Sequence, residues 1–453
     1  MYEPFASADS TFRLLGPAQH APSVFNTQPW WFRILADDRI ELCARIGEGS
    51  AFEHLQEHGL ELADGDCRLS SVDPRARELI ISCGAALFNL CLSIRVAGHD
   101  LTVQLLPYPQ DRSVLATVEI VSGRIHSPSN AQQELYDAIP RRHSNRWPYG
   151  RADHTRLKAD PVPPNILVAM ELAAARYEGR LRALSRPDVR RWLREAESAD
   201  RKLRGAEDYA TELSQWTANG ASNTGIPADA FGPAWERHGH WRKDHPPIRD
   251  FRAHAAGTER ESSGQDDGSS EDVGPSVPSG PSAHNGHNGH NGHNGHKAPR
   301  FERLPQLMLL STSRNSSLDW LRAGQALQHA LLTATRYGVS ASFLTQPFEA
   351  QDYDFHRQRT KRQRVPVPPE PGGAAPRPVA VPPGDLRVLP PAQRDPVLRQ
   401  RGRQPILPEY PQLLIRVGYA THDAGVTRRE DPDVLDCRCD PPSWLVRTTG
   451  AGA

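Results

Sequence analysis

Residues 21–30 read Ala-Pro-Ser-Val-Phe-Asn-Thr-Gln-Pro-Trp. Pro22 ends a helix predicted over residues 10–20, since proline has no N–H to continue a helical ladder. Ser23, Asn26 and Gln28 then offer donors and acceptors on a loop, and Pro29 with Trp30 stiffens its exit. Short strands are predicted beyond it at Phe32–Leu35 and Arg39–Cys43, joined by an Asp-Asp-Arg turn. An Asn amide presents a donor beside an acceptor. Such an edge can pair with a heterocycle that carries an N–H next to a carbonyl, or simply close a polar turn packed on Trp30.

Outward from this loop, the first part of the chain alternates helix and strand. Asp73–Gly98 is predicted as one long helix, with Pro74 in its first turn and Gly98 at its end. Its apolar run between Glu78 and Arg95 is 16 residues and contains Ser82, Asn89 and Ser93. That is short of the roughly 20 residues needed to span a bilayer, so a buried core helix is expected. Leu101–Leu106 and Leu115–Val121 alternate as strands do.

A second set starts at Ile139–Arg146. A helix is predicted from Pro164 to about Ala174, a strand over Arg180–Leu184, and a charged helix over Pro187–Trp216. Gln306–Ser311 reads as a strand, Leu318–Tyr337 as a second long helix closed by Gly338, and Leu413–Val417 as a further strand. Each part thus carries one long apolar helix near the end of an α/β set. The expectation is an α+β fold of two diverged copies, divided near Ile139 into residues 1–138 and 139–453. Two stretches are expected to be disordered insertions: 256–300, rich in Ser, Gly, Asp and Pro and ending in a His-Asn-Gly repeat, and 355–405, rich in Pro and Arg.

Bulk properties narrow the function. The 453 residues carry 54 basic and 54 acidic side chains, so no global field favours nucleic acid or an anionic membrane. Five Lys stand against 49 Arg, which gives any single Arg little weight without its neighbours. Six cysteines in a long chain, without framework spacing, fit a reduced, cytosolic protein. Residues 1–10 hold two acids and no apolar core, unlike a signal peptide.

Two further segments carry chemistry. Arg141-Arg-His-Ser-Asn-Arg146 groups three guanidiniums, whose planar donor forks suit phosphate, although a solvated basic turn would look the same. Leu413-Leu-Ile-Arg-Val-Gly-Tyr419 is a strand leading to a loop with Arg428 and Arg429. Taken with the loop at 21–30, these segments resemble the FMN-binding nitroreductase superfamily, and more closely its Acg-type branch, in which one chain holds two nitroreductase-like halves. Ser82–Asn89 (SCGAALFN), Asp319–Leu327 (DWLRAGQAL), Ser342–Pro347 (SFLTQP) and Pro411–Gly418 (PQLLIRVG) look like that branch too.

The resemblance implies a three-layer α-β-α fold duplicated as an intrachain pseudo-dimer. The Pro-Ser-x-x-Asn loop occurs only in the first half, at Pro22, Ser23 and Asn26, and Arg-His-Ser-x-Arg only in the second, at Arg142, His143, Ser144 and Arg146. It therefore implies one composite site, one FMN per chain and a monomer. By the same resemblance, the Asn26 amide would meet the flavin pyrimidine edge. Arg142 and Ser144 would meet the phosphate region, Arg146 the flavin N1 and O2, and His143 would act through its backbone. Thr345 and Gln346 would approach N5, Arg428 and Arg429 would clamp the phosphate, and Ser82 and Cys83 would face the ring. Glu430 stands where the family often has Pro. Gln28 and Trp30 are expected to be structural.

Other signals carry less. The histidines at 284, 287, 290, 293 and 296 recur in a linker with no scaffold to fix metal geometry. Cys437 and Cys439 lack a second pair for zinc, and the basic run Arg357–Arg364 lies in the Pro-rich insertion. No Ser-His-Asp set, Walker loop or GxGxxG is present, and no catalytic side chain is named, since in flavin chemistry the cofactor reacts and the protein positions it. The expected function is an NAD(P)H-dependent flavin oxidoreductase reducing a nitro or quinone-type small molecule. The alternative is non-catalytic FMN storage beneath a lid, with Thr211–Pro233 as the candidate lid. A passive flavin scaffold for the two insertions ranks last.

Overall fold

The longest apolar segment sets the architecture. In a computed structural model, which describes residues 4–46, 69–153, 156–158, 160–217, 223–233, 245–249, 251, 301–363 and 409–437, it becomes helix α2, Arg77–Val96. By length and a mean hydropathy of 1.9 this helix could cross a membrane, but 83% of its apolar stretch is buried in protein. It lies against a second 20-residue helix, α7, Ser317–Arg336. The two meet at glycine: a Cβ on Gly84 would overlap the Leu321 carbonyl, and one on Gly324 would overlap that of Ile81. Where the helices touch this closely, Gln328 donates across the seam to Asn89 Oδ1 at 2.8 Å, and Asn89 donates to the Pro17 carbonyl at 2.9 Å. Asn89 is thereby paired at both ends of its amide, whereas Gln328 Oε1 stays buried without a hydrogen-bond partner.

Around this helix pair the chain forms two rounds of helices and strands. The first round runs α1 (Ala8–Gln19), β1 (Trp30–Ala36), β2 (Arg39–Ala44), α2, β3 (His99–Leu105) and β4 (Val114–Ile125). After α3 (Asn130–Ala138) and a small hairpin, β5 (Arg151–Asp153) with β6 (Arg156–Lys158), the second round follows. It runs α4 (Pro164–Ala175), β7 (Arg180–Ala183), α5 (Arg186–Arg204), α6 (Glu207–Gln215), β8 (Gln306–Thr312), α7, β9 (Ser340–Leu344), α8 (Gln346–Gln363) and β10 (Tyr410–Gly418). The sheets are ordered β1-β2-β4-β3 and β7-β8-β10-β9, every pair antiparallel. β11, Val434–Asp436, then adds in parallel to β1, so the end of the described chain completes the first sheet.

Several expectations change. Pro74 lies outside the helix, not in its first turn. Asp73–Ala76 form a separate turn, Ala76 adopts φ 55, and Asp73 Oδ2 accepts from Leu79 N at 2.8 Å. The charged helix at 187–216 is broken at Gly205 and Ala206 into α5 and α6, where α6 turns its Tyr209 and Leu213 into a second apolar cluster. Residues 355–363 are not a disordered insertion but the last turns of α8, anchored upstream by buried Phe348, Ala350 and Tyr353. Residues 256–300 and 364–405 lie outside the described residues, as do the histidine repeat, Cys67 and Cys439. Helix α3, with its Ser129–Gln132 capping box, and strand β9 escaped the sequence reading.

Candidate functional site

Three stretches far apart in sequence meet at one cleft. The loop after α1 carries Ser23, Val24 and Phe25. Its tight turn is held by Gln28 N donating to Ser23 Oγ and Val24 N to Ser82 Oγ, both at 3.1 Å. The turn after α3 carries Ser144 and Arg146. It is fixed to the second sheet where Asn145 N donates to the Ala341 carbonyl at 2.9 Å. Fully buried Arg416 on β10 secures the same turn. It stacks 3.6 Å from the Tyr149 ring centroid, binds Glu302, and donates to the Trp147 carbonyl at 3.0 Å. The start of α8 supplies Thr345 and Gln346. Together with Glu78, Ile248, Arg249, Phe251, Ser342 and Phe343 these residues line a cleft of about 80 Å³. Cofactor sites usually run to several hundred Å³. The cleft must therefore widen to admit a three-ring ligand.

At one end of this cleft, positive charge collects without acid to balance it. Arg142 is buried, with Nη2 on the His20 carbonyl at 3.3 Å and Nε without a hydrogen-bond partner. Burial alone lowers its pKa to about 10. Burial and the neighbouring Arg142 lower Arg429 to about 9. His20 is lowered by burial, Arg429, Arg142 and His143, and His143 by burial, Arg142 and Arg429. Among the described residues, no carboxylate lies within ion-pair distance of Arg142, Arg146 or Arg429. A cluster of four cationic or cationisable groups, with Arg142 buried and the other three half-buried, costs free energy unless an anion enters it. The donor set suits a phosphate dianion.

Most of the expected residues come together here, but some do other work. The Asn26 amide is spent. Its Nδ2 donates to the carbonyls of Asn223, Gly225 and Arg428 at 3.3, 3.0 and 3.2 Å, and its Oδ1 accepts from Arg429 at 2.5 Å. Asn26 is therefore a clasp over neighbouring segments, not a free edge for a flavin pyrimidine. Gln28 acts alike, with Nε2 on the Asn223 carbonyl and Oε1 accepting from Glu430 N. Trp30 is buried, its indole N–H on Gln19 Oε1 at 2.9 Å.

Ser82 and Cys83 do not line the cleft: Cys83 donates to the Pro29 carbonyl at 3.4 Å, so both brace the loop. Pro22 is buried beside the loop and likewise absent from the lining. Arg428 is exposed and meets the clasp through its carbonyl. Gln346 lines the cleft but commits its amide to the Pro247 carbonyl at 3.0 Å. Arg146 donates to the Ala230 carbonyl at 2.8 Å and lies 4.8 Å from the Phe251 ring centroid. Burial, then Arg249, lowers its pKa to about 10.

The sequence reading missed His20, Glu78, Arg249 and Phe251. Glu78 was visible only as a helix boundary, and the Pro-Pro-Ile-Arg stretch around Arg249 has no period to reveal it. The candidate lid is also redistributed. Thr211–Gln215 belong to α6, and Trp216 packs with the second apolar cluster. Asn223–Gly225 lie under the Asn26 clasp, Phe231 stacks on Phe251 with centroids 5.8 Å apart, and 218–222 fall outside the described residues.

No family model matches the chain. Three proteins of Mycobacterium tuberculosis resemble it. One named "Putative NAD(P)H nitroreductase Rv3131" is 29% identical over 345 residues, covering 76% of this chain and 78% of that protein. "Putative NAD(P)H nitroreductase acg" is 26% identical over 336 residues, 72% of this chain and 77% of the relative. "Uncharacterized protein Rv3127" is 25% identical over 370 residues, 81% and 87% of the two chains. The mixed helix-and-sheet architecture is consistent with a nitroreductase-like fold. These similarities support a relation to the nitroreductase superfamily and to its Acg-type members.

Proposed function

We propose that this chain is an FMN-dependent oxidoreductase that takes electrons from NAD(P)H and passes them to a nitro or quinone-type acceptor. One observation carries the cofactor assignment: Arg142 and Arg429, flanked by His20 and His143, form a basic cluster to which the described residues bring no acid, beside a cleft lined from both rounds of the fold. The residues present fit the phosphate end of FMN. Arg142 and Arg429 would hold it through charge-assisted bonds. Ser144, Arg146 and Thr345 would border the ring, and positive charge from Arg146 would favour a reduced, anionic ring. Bound flavin would supply hydride chemistry. The chain's part is to bind, orient and exclude water. The cleft must widen for any ring to enter, and Ile248, Arg249 and Phe251, which line it, form the proposed gate segment.

The same reading makes the chain a monomer with one site, its two rounds standing where two subunits would. Identical strand order in both sheets and the Gly84–Gly324 contact between equivalent helices support this. A cytosolic setting accords with the described cysteines at 43, 83, 91 and 437, which are not joined in disulfides.

The purified full chain, loaded with FMN and mixed with NADPH or NADH without oxygen, should lose its flavin absorbance within minutes and regain it on adding a quinone. A yellow chain that answers only to dithionite would replace this reading with sequestration. A chain with no affinity for FMN would end both.

A further inference from the structure

Behind the cleft lies a buried ionic cluster that phosphate binding does not use. Arg77 Nη2 binds Glu78 Oε1 at 2.8 Å and its Nε binds Asp352 Oδ2 at 3.0 Å, while Arg75 reaches Asp352 Oδ1 at 3.3 Å. Arg249 and the Tyr209 hydroxyl both donate to Glu349 Oε2 at 2.6 Å. Asp73 accepts from Leu79 N. Three guanidiniums (75, 77 and 249) thus face four carboxyls (73, 78, 349 and 352). Two carboxyl oxygens, Glu349 Oε1 and Asp73 Oδ1, are buried without a hydrogen-bond partner. Four buried carboxylates cannot all stay ionised against three cations without a large desolvation cost. Glu349 accepts two strong donors on one oxygen. Glu78 is the one carboxyl of the four that lines the cleft.

We propose that Glu78 stands in the cleft as a neutral carboxylic acid and donates a hydrogen bond to a carbonyl-type oxygen of the occupant, while Glu349 carries the negative charge. This deepens the proposed function and rests on it only for the identity of the occupant. The groups facing Glu78 are Arg77 on its own helix, Asp73 in the turn before it, Glu349 on α8 and Arg249 on the gate segment. Burial and the Glu349 carboxylate raise the Glu78 carboxyl well above the usual range, outweighing Arg77 and Arg249. A carboxyl kept neutral in this way presents an O–H that a carboxylate lacks. It selects a planar ligand whose edge is rich in acceptor oxygens, as flavins and quinones are, and discriminates against a ligand donor at the same point.

The test uses the ligand-free full chain, Glu78→Gln and Glu349→Gln. Infrared difference spectra between the chain and E78Q at neutral pH should show the carbonyl band of one neutral carboxylic acid. In E349Q, that band should vanish at a lower pH than in the parent, because a like charge has been removed. Riboflavin, the phosphate-free probe, should bind with constant affinity until Glu78 ionises, then weaken about tenfold per pH unit. In E78Q, where the amide still donates, this pH dependence should be absent. No band lost in E78Q, or riboflavin binding whose pH dependence survives in E78Q, would overturn the proposal. A band with no binding of riboflavin or FMN at any pH would uphold the neutral acid and overturn the flavin occupant instead.

Discussion

Asn26 and Arg429, 403 positions apart, are joined by a 2.5 Å hydrogen bond from the guanidinium to the side-chain amide oxygen. The same amide donates to Asn223, Gly225 and Arg428, so one side chain ties the first round of the fold to the segment over the cleft and to the C-terminal arginines. Asn26 adopts φ 58, a left-handed conformation that only Gly takes without strain and Asn tolerates. Replacing it with Gly removes the clasp and leaves the backbone comfortable. We expect Asn26→Gly to lower stability by about 2 kcal/mol, and to speed proteolysis within 223–233, measured by urea titration and mass mapping of the cuts. Unchanged protection of that segment would show that the clasp does not hold it.

The cationic cluster separates the two ends of FMN. Arg142→Ala should weaken FMN by about 10- to 100-fold, the worth of one charged hydrogen bond, and leave riboflavin affinity nearly unchanged. Because Arg142 has no acid to balance it, the ligand-free variant should be no less stable than the parent. Inorganic phosphate should raise the parent's melting temperature more than the variant's. Isothermal titration with FMN, riboflavin and phosphate checks all three.

The helix crossing has no room for a methyl group. Gly84→Ala and Gly324→Ala should each cost about 3 kcal/mol or more through overpacking. Their effects should not add, since both push the same two helices apart. Denaturant midpoints of the two single variants and the double variant give the coupling directly.

Two buried groups pull the pH profile of stability in opposite directions. Asp73 is raised to about 7, chiefly by burial and against Arg77, so the folded chain keeps a proton that the unfolded chain releases. Its contribution is complete below the ordinary carboxylate range and fades as pH rises toward 7. His329 is lowered to about 4 by burial and then Arg176. Its contribution is complete above the ordinary histidine range and fades as pH falls toward 4. Each proton changes the slope by about 1.4 kcal/mol per pH unit within its window. Stability of Asp73→Asn should therefore rise more steeply from pH 4 to 6.5 than the parent's, and that of His329→Gln should fall across it.

The sequence by itself determined the parts whose physics is local. The apolar run from Leu79 to Ile94 had to be a buried helix, because its 3.6-residue faces are apolar all round. Alternation picked out β3 and β4, the Asp-Asp-Arg turn marked β1 and β2, and the Pro-Ser-x-x-Asn and Arg-His-Ser-x-Arg segments named the two turns that border the cleft. The tertiary structure decided what those side chains do. Whether Asn26 faces a ligand or a carbonyl depends on two chain segments, 197–199 and 402–403 positions away, and no local pattern encodes that choice. Glu78 looked like a helix start. Its surroundings were set when Glu349 and Arg249 converged on it from two other places, and the charge balance of a buried site is a sum over neighbours that only folding brings together.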